Sequence, residues 1–390
     1  VGAAPEVYQR YGEATALPDP LPPYAAKYWQ SKDAYKDSAE VIELATNFSE
    51  RNLSVGVIVI DLGIPQTPPY YRLDPARFPD VPALSAAVMD LTGSQLMPNL
   101  KPTSVKSTDC PACGAGIRAD GRADDGVIDP SAAECRSCVW VKRVKPQLFD
   151  RGVRTFWLDD DEASVHFHPT AHNFSCGPPE YCRVWAAGTQ WPRLFSDGSS
   201  AAGFPPVLLS RNLWAGAKGA LWSSDILCTW TELRAQVLAG LASGLSGFQY
   251  WSSDVGGFSG TPTPELAARW HQFGSVCPLY RSHGSRPFNE PWSFGPDAER
   301  AITKSIRLRE NLQPYVLALS ANASRTGAPL MRPLWWDFPD APQAVHVSDA
   351  FMFGPRYLAA PVLADGARTR SVWLPPTAGG WRHYYTGQAF

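Results

Sequence analysis

Short apolar runs alternating with amphipathic stretches constrain this chain more than any other feature. A helical pattern over Ser38–Arg51 gives way to a strand-like run at Val55–Asp61, then to a second helical pattern at Val81–Leu91. Further strands are expected at Gln95–Leu100, Thr155–Leu158, Val207–Ser210, Gly219–Trp222 and Gly247–Tyr250, with helices at Ser131–Phe149, Trp230–Ser243, Pro264–Phe273 and Ala298–Ala321. Parallel neighbours need a crossover, usually a helix, so this rhythm predicts a parallel sheet and an α/β fold. Polar, acidic or aromatic residues collect just after the strands, at the edge where a (β/α)8 TIM barrel builds its active site.

The barrel is expected over residues 1–326, with insertion loops at about 104–129 and 164–206, where periodicity is lost. From Gly327 onward short β-like runs, such as Phe351–Val362 and Arg370–Pro375, alternate with Pro and Gly. That change predicts the start of a small all-β domain over 327–390, expected to be truncated, in a chain expected to be a piece of something longer.

Composition narrows the ligand. The 390 residues are 44% hydrophobic, enough for a large core, and carry 35 Lys plus Arg against 37 Asp plus Glu. Near-neutral charge gives no footprint for nucleic acid or an anionic membrane, and no apolar run is long enough to span a bilayer. A neutral ligand fits better. Fifteen Trp and fourteen Tyr suit the faces of sugar rings, although most such residues fill cores. Sequons at Asn47, Asn52, Asn173 and Asn322 permit a secreted or organellar-lumen protein without fixing the compartment.

Two Cys-x-x-Cys pairs, Cys110 with Cys113 and Cys135 with Cys138, leave zinc open. Their 21-residue spacing lies just outside the usual window, and the second pair sits in a helical pattern, so disulfides or buried thiols rank above metal.

The chemistry concentrates in three acidic strand ends. Arg154-Thr-Phe-Trp-Leu-Asp-Asp-Asp-Glu162 runs an apolar strand into four carboxylates, an arrangement that is either a solvated turn or a reactive site. A second acid closes Ala220-Leu-Trp-Ser-Ser-Asp225, and a third stands in Tyr250-Trp-Ser-Ser-Asp254-Val-Gly-Gly-Phe258. Acids behind successive barrel strands converge on one mouth, where they can protonate a glycosidic oxygen and attack an anomeric carbon. A divalent metal is the competing use, but among the seven His only His166 and His168 lie near an acidic cluster.

These residues, in order, resemble glycoside hydrolase family 31 over almost the whole chain. Lys27-Tyr-Trp-Gln-Ser-Lys32 and Val57-Ile-Val-Ile-Asp61 are similar to its first two strands, Leu73-Asp-Pro-Ala-Arg-Phe-Pro-Asp80 to the segment that follows, and Phe156-Trp-Leu-Asp159 with Glu162 to its nucleophile strand. Ser210-Arg211, Trp214-Ala-Gly, Trp222-Ser-Ser-Asp225 and Trp230 resemble the acid/base region, while Asp254-Val-Gly-Gly-Phe and Arg281-Ser-His283-Gly resemble later sugar-binding loops.

The resemblance implies that Asp159 is the nucleophile of a retaining glycosidase and Asp225 its general acid/base. Asp225 has to be protonated when it meets substrate, a form that neighbouring Trp222 and the charge on Asp159 are expected to favour. Asp61, Arg211, Asp254 and His283 are expected to bind sugar hydroxyls, and Trp222, Trp251 and Phe258 to wall the pocket, with core packing an equal reading for Trp251. No cofactor is implied. The expected partner is an oligosaccharide or small α-glycoside, cut from its non-reducing end, with glucose ahead of xylose; oligomeric state is not addressed.

Four departures stand out, and the first bears on substrate preference. Leu62-Gly-Ile-Pro-Gln-Thr-Pro-Pro69 replaces the aromatic residues that usually shape the sugar pocket, Ala163 replaces a Pro, and the cysteine loop has no recognised counterpart. The fourth is Asn99-Leu-Lys-Pro-Thr103, where relatives often carry a Trp and where Lys101 either contacts substrate or, as the safer reading, points to solvent. The family also places a β-sandwich ahead of its barrel. Transglycosylation on the same barrel and an inactive carbohydrate-binding scaffold are the alternatives, together with a zinc-stabilised interaction module built on the four cysteines.

Overall fold

A computed structural model describes residues 4–65, 71–101, 110–113, 116–117, 123–124, 128–159, 176, 182, 184–214 and 216–390. Asp160, Asp161, Glu162, Ala163, His166, His168 and Asn173 lie outside the described residues.

Eight short parallel strands form the barrel: β1 (Tyr28–Lys32), β2 (Val57–Ile60), β3 (Gln95–Leu100), β4 (Phe156–Leu158), β5 (Leu208–Ser210), β6 (Leu221–Trp222), β7 (Trp251–Ser252) and β8 (Tyr280–Arg281). Six of them hydrogen-bond in the order β8-β1-β2-β3-β4-β5, and β6 pairs with β7. Parallel bridges Leu209↔Ala220 and Val255↔Ser282 join the two groups and close the ring. The strands are buried almost throughout, as expected where helices cover a parallel sheet.

Local sequence explains the connecting helices. Asp80 caps the helix Val81–Thr92 by accepting from the Ala83 N–H, and Gly93 ends it with φ +68°, a left-handed conformation that glycine adopts without strain. Thr229 and Thr263 cap Trp230–Leu245 and Pro264–Gly274 in the same way. The long final helix, Pro296–Thr326, presents fully buried Arg309 to the Ala26, Cys277 and Pro278 carbonyls, each at 2.6 Å. One side chain thus ties the chain segments entering β1 and β8 to the last helix, where the barrel's first and last strands meet.

The (β/α)8 class expected from the rhythm is observed, with local corrections. The strand expected at Gly247–Tyr250 forms at Trp251–Ser252, and the second expected insertion loop contains an 11-residue helix, Trp191–Ala201. The helix expected at Ser131–Phe149 is broken into an α-helix, Ala133–Val139, a π-helix, Trp140–Val144, and shorter turns. After the barrel, three antiparallel strands, β9 (Met331–Arg332), β10 (Phe351–Phe353) and β11 (Tyr357–Ala359), begin the β region. No strand forms at Arg370–Pro375.

The cysteine insert follows β3. Its two Cys-x-x-Cys pairs are cross-linked, Cys110 to Cys138 and Cys113 to Cys135, and a third disulfide joins Cys176 to Cys182. This corrects the zinc alternative, since a sulfur in a disulfide has no thiolate to give a metal. Among the described residues, no group of three or more His, Cys, Asp or Glu is arranged to hold a metal ion, and no helix is long and apolar enough to cross a membrane.

Candidate active site

The strand ends deliver polar residues to one mouth of the barrel. Asp61 follows β2, Asn99 lies in β3, Asp159 follows β4, Arg211 follows β5, and Asp225, Asp254 and His283 stand two or three residues beyond β6, β7 and β8. Strand register carries past the strands themselves. The Asp159 N–H donates to the Leu100 carbonyl at 2.9 Å, and the Arg211 N–H to the Leu158 carbonyl at 3.0 Å. These positions are therefore set by the barrel ladder rather than by free loops.

Asp159 is 6% exposed and gripped on both oxygens. Asn99 Nδ2 donates to its Oδ2 at 2.8 Å, and Arg211 Nε to its Oδ1 at 2.6 Å. The same guanidinium reaches Asp225 Oδ1 from Nη2 at 3.3 Å and Ser224 Oγ from Nη1 at 2.5 Å. Both carboxyl groups thus lie within the span of one arginine. Asp225 is held more loosely, its side chain 49% exposed. Ser224, just before it, has φ +61°, an uncommon conformation for a residue with a Cβ.

Beside this pair, Asp61 and His283 form the other polar wall. Burial and the neighbouring charge of Asp159 push the Asp61 carboxyl up to about 8, so it keeps its proton at neutral pH. Burial, reinforced by Arg281, Arg286 and Arg211, holds His283 well below its usual range. Their 3.5 Å approach therefore joins two neutral groups and is no salt bridge. Ser31 Oγ meets His283 Nδ1 at 2.8 Å and leaves Nε2 without a hydrogen-bond partner among the described residues. Phe258 stacks on the imidazole, with ring centroids 5.3 Å apart.

Two expected ligands sit deeper. Asp254 is fully buried and paired with fully buried Arg281 at 2.5 Å, so its Oδ1 is engaged by protein, while burial raises its carboxyl to about 6. Trp251 packs against Phe273 and over Gly240, where an added Cβ would meet its ring at 2.9 Å; its place is the core, not the pocket wall. Trp222 is also buried, but its indole faces Arg211 at 5.0 Å and meets Trp157 edge to face at 5.3 Å.

Sequence reasoning passed over Asn99, Arg281 and Ser31. Each left a faint signal, a polar side chain inside or at the end of an apolar strand, where burial requires a partner.

Residues 18–319 match the TIM-barrel domain of glycosyl hydrolases family 31, and residues 327–390 match that family's C-terminal domain. The chain belongs to glycoside hydrolase family 31. An α-xylosidase of Saccharolobus solfataricus is 30% identical over 406 residues, covering 98% of this chain and 54% of that protein. Alpha-glucosidase 2 of Bacillus thermoamyloliquefaciens is 29% identical, covering 98% and 52%. The crystal structure of a family 31 α-xylosidase from a soil metagenome, complexed with xylose, superposes with a TM-score of 0.89 at 32% identity, covering 97% of this chain and 62% of that one. The chain spans about half the length of the curated relatives it matches.

Proposed function

We propose that this protein hydrolyses α-linked glycosides from their non-reducing ends by double displacement, releasing xylose or glucose with its configuration retained. The observation that carries the reading is the shared guanidinium of Arg211, which brings Asp159 and Asp225 side by side at one barrel mouth. Two carboxyl groups serve a retaining mechanism when one attacks from one face of the sugar while the other reaches the glycosidic oxygen.

Asp159, oriented by Asn99 and Arg211, attacks the anomeric carbon and displaces the aglycone, while Asp225 gives its proton to the departing oxygen. Asp225 then takes a proton from water, which attacks the same carbon and frees Asp159. Its exposure suits this second duty, since water and protons reach it directly. Asp61 and His283, whose buried Nε2 has no hydrogen-bond partner among the described residues, bind hydroxyls, and Phe258 offers an apolar edge to the ring. These steps use only protein groups.

Both sugars stay in the proposal. Xylose is tested first, because the two relatives described above with at least 30% identity are named α-xylosidases. Purified chain incubated with p-nitrophenyl α-xyloside and α-glucoside, followed by proton NMR, is expected to release the α-anomer first. Initial release of the β-anomer, or no turnover by folded protein, would overturn the proposal.

A further inference from the structure

Below the carboxyl pair lies a connected stack of planar groups. Arg281 has no solvent exposure, and the only hydrogen-bond partner of its guanidinium among the described residues is Asp254; its Nε and Nη2 find none. Its guanidinium lies 4.2 Å from the Trp157 ring centroid and 5.8 Å from that of Trp222. The two indoles meet at 87°, and Trp222 carries Arg211 on its other contact, 5.0 Å away. Arg211 in turn grips Asp159 and reaches Asp225. Nothing in this chain of contacts requires substrate.

We infer that Arg281 is a positioning residue: held by Asp254, it fixes the planes of Trp157 and Trp222, and Trp222 fixes the guanidinium of Arg211 that aligns both carboxyl groups. Its chemistry argues for this role over simple stability. A buried ion pair is seldom more stabilising than an apolar pair of similar volume, so its presence is better explained by the geometry it imposes. A guanidinium is flat and delocalised and stacks on indole faces, whereas an ammonium is a compact point charge that cannot set a ring plane. Trp157 and Asp159 are two residues apart at the end of β4, on one face of that strand, so a shift of the indole is felt directly beside the nucleophile.

The kinetic half of the test rests on the proposed glycosidase activity, and the spectroscopic half does not. In the full chain, Arg281→Lys keeps the charge and loses the plane. The near-ultraviolet circular dichroism of the coupled indoles, identified by its loss in Trp157→Phe, is expected to change. With p-nitrophenyl glycoside, kcat should fall about 10- to 100-fold while KM stays within about threefold, because geometry at the reacting atoms is lost and binding is not. The neutral pair Arg281→Met with Asp254→Asn leaves no buried unpaired charge and should behave likewise; it carries the test if the lysine variant does not fold. A folded variant with the wild-type indole signal, or with an altered signal but wild-type kcat, overturns the inference. An inactive wild-type chain counts against the glycosidase reading alone, and the indole signal then decides the role of Arg281.

Discussion

The rims above β4 and β6 offer the two carboxyl groups very different surroundings. Asp159 is nearly buried and bonded on both oxygens by Asn99 and Arg211, whereas Asp225 stands half in solvent with one 3.3 Å contact to Arg211. A nucleophile benefits from being held at one angle to one carbon, since misalignment slows the bond-forming step. An acid/base that gives a proton to one oxygen and takes one from water needs access more than rigidity. In the proposed mechanism, the difference between the rims divides the labour without any difference in residue type.

Removing each group measures that division. Asp159→Ala is expected to lower kcat about 10⁴-fold or more on every glycoside, because no other step can replace covalent attack. Asp225→Ala should cost about 10²- to 10⁴-fold on aglycones that need protonation, and far less on a glycosyl fluoride, whose leaving group needs little help. Equal losses on both substrate types would erase the distinction between the two rims. A smaller effect follows from loosening the first rim alone: Asn99→Ala removes one charge-assisted hydrogen bond and should reduce kcat/KM about tenfold.

The mildest test concerns stability. The Asp61 carboxyl rises from 3.8 in the unfolded chain to about 8 when folded, so the folded protein holds a proton that the unfolded chain releases. Below both values the group contributes no pH dependence. As pH rises from about 4 to about 8 it lowers stability progressively. Asp61→Asn removes that slope, so its thermal midpoint should gain on wild type across this window, and parallel curves would show that Asp61 ionises normally in the fold.

Much of this arrangement was legible before the structure. Acids placed just after apolar runs marked the strand ends, because a short buried strand must end where polar residues reach solvent, and the family resemblance singled out Asp159 and Asp225 among them. The strand β8 was not legible, since Tyr280–Arg281 puts a cation where burial usually forbids one, and only the partner Asp254, 27 residues away, makes it tolerable. The helix Trp191–Ala201 was hidden by Gly198, Ser199 and Ser200, weak helix formers; the lack of a side chain at Gly198 lets the helix lie against Trp140, where a Gly198 Cβ would come within 2.2 Å of the ring. Spacing alone left the four insert cysteines between metal and disulfide, because either chemistry brings the two pairs together; the observed cross-links decide between them. Asn99 and Arg281 were missed for a shared reason: their roles lie in pairwise geometry that a linear sequence does not display.

The most direct test of Asp159 as the gripped nucleophile is to trap it. Incubation with 5-fluoro-α-D-xylosyl fluoride and with its glucosyl counterpart, followed by peptic digestion and mass spectrometry, should yield a glycosylated peptide with the sugar on Asp159, absent from the Asp159→Ala variant. A sugar found on Asp225 or another residue, or rapid turnover to the inverted product with no adduct, would contradict the account.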